Sequence, residues 1–212
     1  MTDVEKDVEK NEEKSKGGTP PATAEDPRQE FYRLLNEGAK LLAQRRAQEA
    51  APLLEKAYYL DPDSVEVKIN LGGAYILQNR FQDAIPILEE AAEQAPDNPM
   101  VWTNLAAAYL GHVEHASPEQ QEAAIKAFKK ALEADPKAPH VDYNLGLIYM
   151  HRGDLPAALA HFQRALEVNP EDKDAAHYIR TLQTRLSAQS AQAESPAQEP
   201  AQDEHHEHDH EH

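Results

Sequence analysis

Pro62, Pro96, Pro136 and Pro170 recur along the chain at spacings of 34, 40 and 34 residues, each with the same companions upstream. Five residues before each proline lies an alanine (Ala57, Ala91, Ala131, Ala165), and eight before it a large apolar residue (Leu54, Leu88, Phe128, Phe162). A second alanine precedes by four more places, at Ala50, Ala84, Ala124 and Ala158. Further upstream, Gly38, Gly72, Ala106 and Gly146 are each followed three places later by Leu41, Tyr75, Tyr109 and Tyr149. A period of this length is one supersecondary unit repeated in tandem, and such a unit buries its apolar face only against its neighbours. The chain must therefore stack four units.

The pattern resembles the tetratricopeptide repeat family, whose unit of 34 residues is a helix–turn–helix. With the units numbered from Phe31, Val65, Pro99 and Pro139, the family preferences at positions 4, 7, 8, 11, 20, 24, 27 and 32 are met at 29 of 32 places; Glu37, Lys68 and Asp142 are the three departures. The resemblance implies an all-α, right-handed solenoid with repeats at 31–64, 65–98, 99–138 and 139–172, and a capping helix at 173–186.

The same positions can be read physically. On the first helix of each unit, positions 4, 7, 8 and 11 share one arc of about 100°, the width of a core stripe. Small residues at 8 and 20 let two helices approach closely, and bulky ones at 11 and 24 fill the space between them. Proline after each second helix stops its continuation. Glu37 falls in the first unit, where an end repeat requires a polar outer face. In the third unit, six extra residues separate Tyr109 from Ala124, and Ser117-Pro118-Glu119-Gln120 predicts an early helix start with a capping box. Gly111 to Ala116 is then expected to protrude. Over 173–186, Ala175, Ile179, Leu182 and Leu186 form a helical stripe, with Arg180 tolerated because no further helix must approach it.

Outside the repeats, 1–30 and 187–212 lack the apolar residues needed to offset ordering entropy and are expected to be disordered tails. The chain holds 38 acidic and 21 basic residues, a net charge of −17, which argues against a nucleic-acid partner. The absence of cysteine excludes disulfides, thiolate zinc sites and cysteine nucleophiles. No apolar run approaches the roughly 18 residues that span a bilayer, and the acidic N-terminus lacks a signal-peptide pattern. These features point to a soluble, cytoplasmic protein without membrane insertion.

Candidate functional residues lie on the first helices, opposite the core stripe. Positions 2, 5, 6, 9, 12 and 13 form the concave groove that, by the resemblance, receives partners. Position 6 is Asn36, Asn70, Asn104 and Asn144. A row of amides offers donors and acceptors to an extended peptide backbone; the same amides could instead tie helices together. Around them stand Ile69, Leu77, Met100, Thr103, His140, Tyr143 and His151, with Tyr32, Ile76, Leu110, Leu147 and Met150 completing a mostly apolar floor. The two lysines, arginine and two asparagines by which one branch of the family grips chaperone C-termini would fall at Leu35, Ala39, Asn70, Met100 and Asn104. Only one asparagine of that clamp remains and no cation, so an apolar or neutral peptide or helix is the expected partner.

No phosphate loop, nucleophile elbow or other catalytic constellation is present, so no enzyme activity and no cofactor are expected. His112 and His115 have the spacing of a ligand pair without further ligands. The run Glu204 to His212 places five histidines among the last eight residues, alternating with acids. It supports an alternative from a different class: a zinc, nickel or copper storage or delivery protein, or else weak incidental divalent metal binding at the tail.

Overall fold

The computed structural model describes residues 26–194. Among these residues there are nine α-helices and no strand: α1 (Pro27–Ala43), α2 (Ala47–Leu60), α3 (Val65–Leu77), α4 (Phe81–Gln94), α5 (Pro99–Leu110), α6 (Pro118–Ala134), α7 (Val141–His151), α8 (Leu155–Val168) and α9 (Lys173–Glu194). Successive pairs α1–α2, α3–α4, α5–α6 and α7–α8 form hairpins that stack in chain order, and α9 packs on α8. The described part is an all-α helical solenoid.

Local chemistry sets the helix ends. Each recurring proline stands just beyond a second helix, where its missing N–H and ring forbid another turn. Asp26, Ser64, Asn98, Ser117 and Asp154 accept a backbone N–H at the start of α1, α3, α5, α6 and α8. Ser117 and Gln120 make the reciprocal capping box expected of them. The first helices of units one, two and four close alike. A left-handed residue (Arg45, Asn79 or Gly153) is followed by an N–H that reaches five residues back: Arg46 to Leu41, Arg80 to Tyr75, Asp154 to Tyr149. This is the Schellman closure, which satisfies orphan carbonyls.

The hairpins are pinned by close approach at position 8. A Cβ placed on Gly38 would lie 2.6 Å from Leu54, one on Gly72 2.6 Å from Leu88, and one on Gly146 2.9 Å from Phe162. Small residues there admit the position-24 side chain, which is fully buried in every unit.

The stack ends differently on its two faces. Where later units present Val67, Leu71 and Ala74, or Val101, Leu105 and Ala108, to the preceding hairpin, unit one carries Arg33, Glu37 and Lys40. These form exposed pairs, Arg33 with Glu30 at 2.6 Å and Lys40 with Glu37 at 3.5 Å, so Glu37 belongs to the polar end face. At the other end, Ala175 and Leu182 of α9 are fully buried, Tyr178 stacks on Phe162 with ring centroids 4.8 Å apart, and Arg180 is exposed.

Three details depart from the sequence reading. Helix α9 continues eight residues past Leu186, because 187–194 is Ala/Gln/Ser-rich without a breaker, and Ser187 and Ser190 hydroxyls bond back to carbonyls of their own helix. Helix α1 begins at Pro27, inside the segment assigned to the first tail; 1–25 and 195–212 lie outside the described residues. The inserted connection folds back instead of protruding: the His112 ring meets Phe81 edge-on at 5.4 Å, and Val113 and Ala116 pack against the core of unit three.

Adjacent glycines of α3 test this packing. Gly72→Ala is expected to lower stability by about 1–3 kcal/mol, since Leu88 must leave its seat. Gly73→Ala, whose Cβ would meet only the Asn104 amide at 3.7 Å, is expected to raise it by about 0.5–1 kcal/mol through helix propensity. Urea unfolding of the two variants reads both effects; equal midpoints would contradict the close approach at position 8.

Candidate binding groove

Helices α1, α3 and α5 lie side by side, and their faces turned away from the second helices form one continuous surface. Its centre is lined by small residues, half-buried Ala39, Gly73 and Ala107 at position 9, giving way to Leu147 in unit four.

The asparagine row divides in two. Asn104 donates its Nδ2 to the carbonyl of Ile69 at 3.3 Å, tying α5 to α3. Asn144 donates to the carbonyl of His140, 2.9 Å away at the start of its own helix. One N–H of each amide is thus committed, which leaves the second N–H and the carbonyl oxygen for a ligand. Asn36 is exposed and Asn70 half-buried, and neither side chain is hydrogen-bonded among the described residues.

The apolar candidates also separate. Leu77 is 53% exposed and Met100 59% exposed, on adjoining helices. Ile69, by contrast, is 8% exposed and belongs to the core between units, and Leu110 is buried in unit three. Neither is groove floor, because positions 5 and 12 turn partly into the neighbouring hairpin. Thr103 bonds back to the Pro99 carbonyl at 2.8 Å. Tyr143 is not a free aromatic anchor: its ring stands edge-on to Phe162 at 5.6 Å and to Tyr178 at 6.3 Å. Burial, and then the nearby Tyr178 hydroxyl and acids, push its phenol pKa up. His140, in the left-handed region (φ 65°) before α7, and His151, which ends α7, are exposed at opposite ends of that helix.

Charge is distributed unevenly about this surface. The turns inside hairpins form one edge, where Arg46 pairs with Glu49 at 2.6 Å, Arg80 with Asp83 at 2.7 Å and Arg152 with Glu122 at 3.5 Å, while exposed Arg45 makes no ion pair among the described residues. The turns between units form the opposite edge, whose carboxylates (Asp61, Asp63, Asp97, Asp135, Glu171, Asp172) take part in no ion pair among the described residues.

Contacts that sequence reasoning missed hold the groove in shape. Tyr75 donates its hydroxyl to Glu55 of the preceding unit at 2.9 Å, and Tyr109 to Glu89 at 2.6 Å. The signal was present, since both pairs are 20 residues apart. Two of the three departures from the repeat signature are buried and paired. Lys68, 2% exposed, reaches Glu90 and Gln94 at 3.1 Å. Asp142, 4% exposed, meets His161 at 2.8 Å and Arg164 at 3.6 Å. No buried polar side-chain atom among the described residues lacks a partner. No group of three or more His, Cys, Asp or Glu among them could hold a metal; His112 and His115 merely meet edge-on at 6.4 Å, and the histidine-rich run lies outside the described residues. No described helix is long and apolar enough to cross a membrane.

The sequence profile of the tetratricopeptide repeat family matches residues 41–109 and again 119–180, together more than half of the chain. The chain belongs to the tetratricopeptide repeat family, whose members are generally non-catalytic scaffolds for protein–protein interaction. It is 37% identical over 62 residues to anaphase-promoting complex subunit 3 of Schizosaccharomyces pombe, a match spanning 29% of this chain and only 9% of that protein. Among solved structures it is similar to MamA from Desulfovibrio magneticus RS-1, with 25% identity, a TM-score of 0.57, and coverage of 70% of this chain and 78% of that one. A thermophilic tetratricopeptide repeat protein of Thermus thermophilus, TTC0263, shares the fold at a TM-score of 0.65 with 21% identity, covering 77% of this chain and 89% of that one.

The tyrosine contacts between units have a pH signature. Burial, and then the bond to Glu55 or Glu89, raise the pKa of Tyr75 and Tyr109 to about 12, whereas a free phenol ionises near 10. Between these values the unfolded chain releases protons that the folded chain keeps, so the stability is complete below pH 10 and is lost as pH rises toward 12. Tyr75→Phe and Tyr109→Phe should cost about 0.5–1.5 kcal/mol at neutral pH. Both should flatten the alkaline decline, read from urea midpoints measured across that interval.

Proposed function

We propose that this scaffold docks a segment of another protein in the concave groove, with the segment's apolar or neutral side resting on the floor. The exposure of Leu77 and Met100 on adjoining helices carries this reading. Exposed large apolar side chains that gather on one concave face, rather than standing singly, mark a site of association. Asn70, on the same face of α3 as Leu77 and without a bond of its own, supplies a donor and an acceptor that can fix the backbone of an extended or helical segment. Asn36 and, through the remaining N–H and the carbonyl oxygen of each amide, Asn104 and Asn144 extend the same row. His140 and His151 stand at the groove's two margins in unit four.

Captured partners of the full chain provide the test. Asn70→Ala should weaken a partner by about 1–3 kcal/mol, because a hydrogen bond is lost or a partner group is left unsatisfied. Leu77→Ser and Met100→Ser should release the same partner, with helical circular dichroism unchanged. Lys126→Ala, an exposed site on α6, is the control and should bind normally. Normal capture by the groove variants together with loss in the α6 variant would place the partner on the outer face and overturn the proposal.

A further inference from the structure

We infer that the docked segment is a basic amphipathic one, whose apolar face covers Leu77 and Met100 and whose lysine- or arginine-rich flank runs along the edge made by the turns between units. This rests on the groove reading and adds the chemistry of the partner to it.

Helix register places Met100 beside the charged edge and Leu77 across the groove from it, at the far end of α3. From unit two onward, position 2 lies at or just before the start of the first helix at that edge, and it is Glu66, Met100, His140 and, in α9, Asp174. The exposed methionine therefore sits in line with a carboxylate one unit earlier and has Asp97 in the turn just before its own helix. Asp63 lies in the turn before α3 and Glu171 in the turn before α9.

These carboxylates have no other employment. Carboxylates near helix starts are commonly spent on backbone N–H groups, and Asp61, Asp135 and Asp172 are spent in that way, each accepting an N–H two residues on at 2.9–3.2 Å. The side chains of Asp63, Glu66, Asp97, Glu171 and Asp174 are exposed and make neither such a bond nor an ion pair among the described residues. Of the arginines on the opposite edge, Arg46 and Arg80 are already engaged by acids of their own hairpins and Arg152 by Glu122 of the preceding unit. One margin of an apolar groove, where Lys137 and Lys173 stand among a larger number of carboxylates, thus carries a net negative field. Such a field raises the encounter rate of a cationic segment and repels an acidic one. An apolar floor with one acidic margin is complementary to a segment with an apolar face and one basic flank.

The test uses the full chain and two labelled synthetic helical peptides of about four turns. They share one Leu/Met stripe and carry Lys or Glu on the flank. In fluorescence anisotropy the Lys peptide should bind, and its affinity should fall about tenfold between roughly 50 and 300 mM NaCl as the Debye length shrinks. The Glu peptide should bind at least about tenfold more weakly. Charge reversal in D63K/E66K/D97K should weaken the Lys peptide by a similar factor and remove most of its salt dependence. Met100→Ser should weaken both peptides. Equal affinity for the two peptides, with Met100→Ser still weakening them, would overturn the basic-flank inference and leave the groove reading standing. Lys-peptide binding untouched by Met100→Ser would refute the groove reading and this inference with it. Measurable binding by neither peptide would overturn the inference, with circular dichroism confirming that each variant is folded.

Discussion

Everything in this solenoid depends on how closely two helices of one hairpin can approach at position 8. In units one, two and four the glycine there brings helix backbones near enough that the position-24 leucine or phenylalanine lies directly over bare backbone. That distance fixes the tilt of each hairpin, which in turn fixes how the next unit is offered its apolar face. In a chain of nearest-neighbour interfaces, an error at this contact would propagate through every later unit. The groove is a derived surface. Its floor is whatever the first helices leave uncovered once their core stripe is seated.

The contact between position 4 and the second helix of the same hairpin is chemically different in each of three units. Lys68 pairs with Glu90, Trp102 lies under the Lys130 ammonium at 4.3 Å, and Asp142 pairs with Arg164 and His161. Each solution keeps a side chain inside only because its partner is matched. A buried charge without a partner is strongly destabilising, while a buried pair gains little over apolar packing of the same volume. Such pairs therefore favour the correct hairpin partner over the corresponding helix of another unit, where Asp142 would face Glu90 or Lys68 would face Lys130.

The fold was legible because its determinants are periodic: prolines, alanines and small residues mark each unit whatever surrounds them. The capping box at Ser117 and the polar end face at Glu37 could also be read, since each depends on local chemistry. The groove was less legible. Position 5 faces outward on a helical wheel, yet Ile69 and Tyr143 are drawn inward by the neighbouring hairpin or by α9, which a single-helix projection does not contain. Likewise the amide of Asn104 is spent on the Ile69 carbonyl, a bond that exists only once α3 and α5 lie side by side. Lys68 and Asp142 look like failures of the repeat pattern until position 26 is read with position 4, 22 residues on. The run that closes the chain, Glu204 to His212, lies outside the described residues.

The junction between the third and fourth units is built differently from those before it. Where Glu55 and Glu89 receive a tyrosine hydroxyl, unit three offers Lys129, and Tyr149 turns instead to stack on His161 with planes 4° apart. Helix α7 starts two positions late, after left-handed His140, and packs on α6 less extensively than α3 does on α2 or α5 on α4. In a one-dimensional array the weakest interface sets the length of the cooperative unit. The solenoid is thus coupled as two blocks, three hairpins on one side and the last hairpin with α9 on the other. Amide exchange in α7 to α9 should report a sub-global opening that leaves the first three hairpins closed.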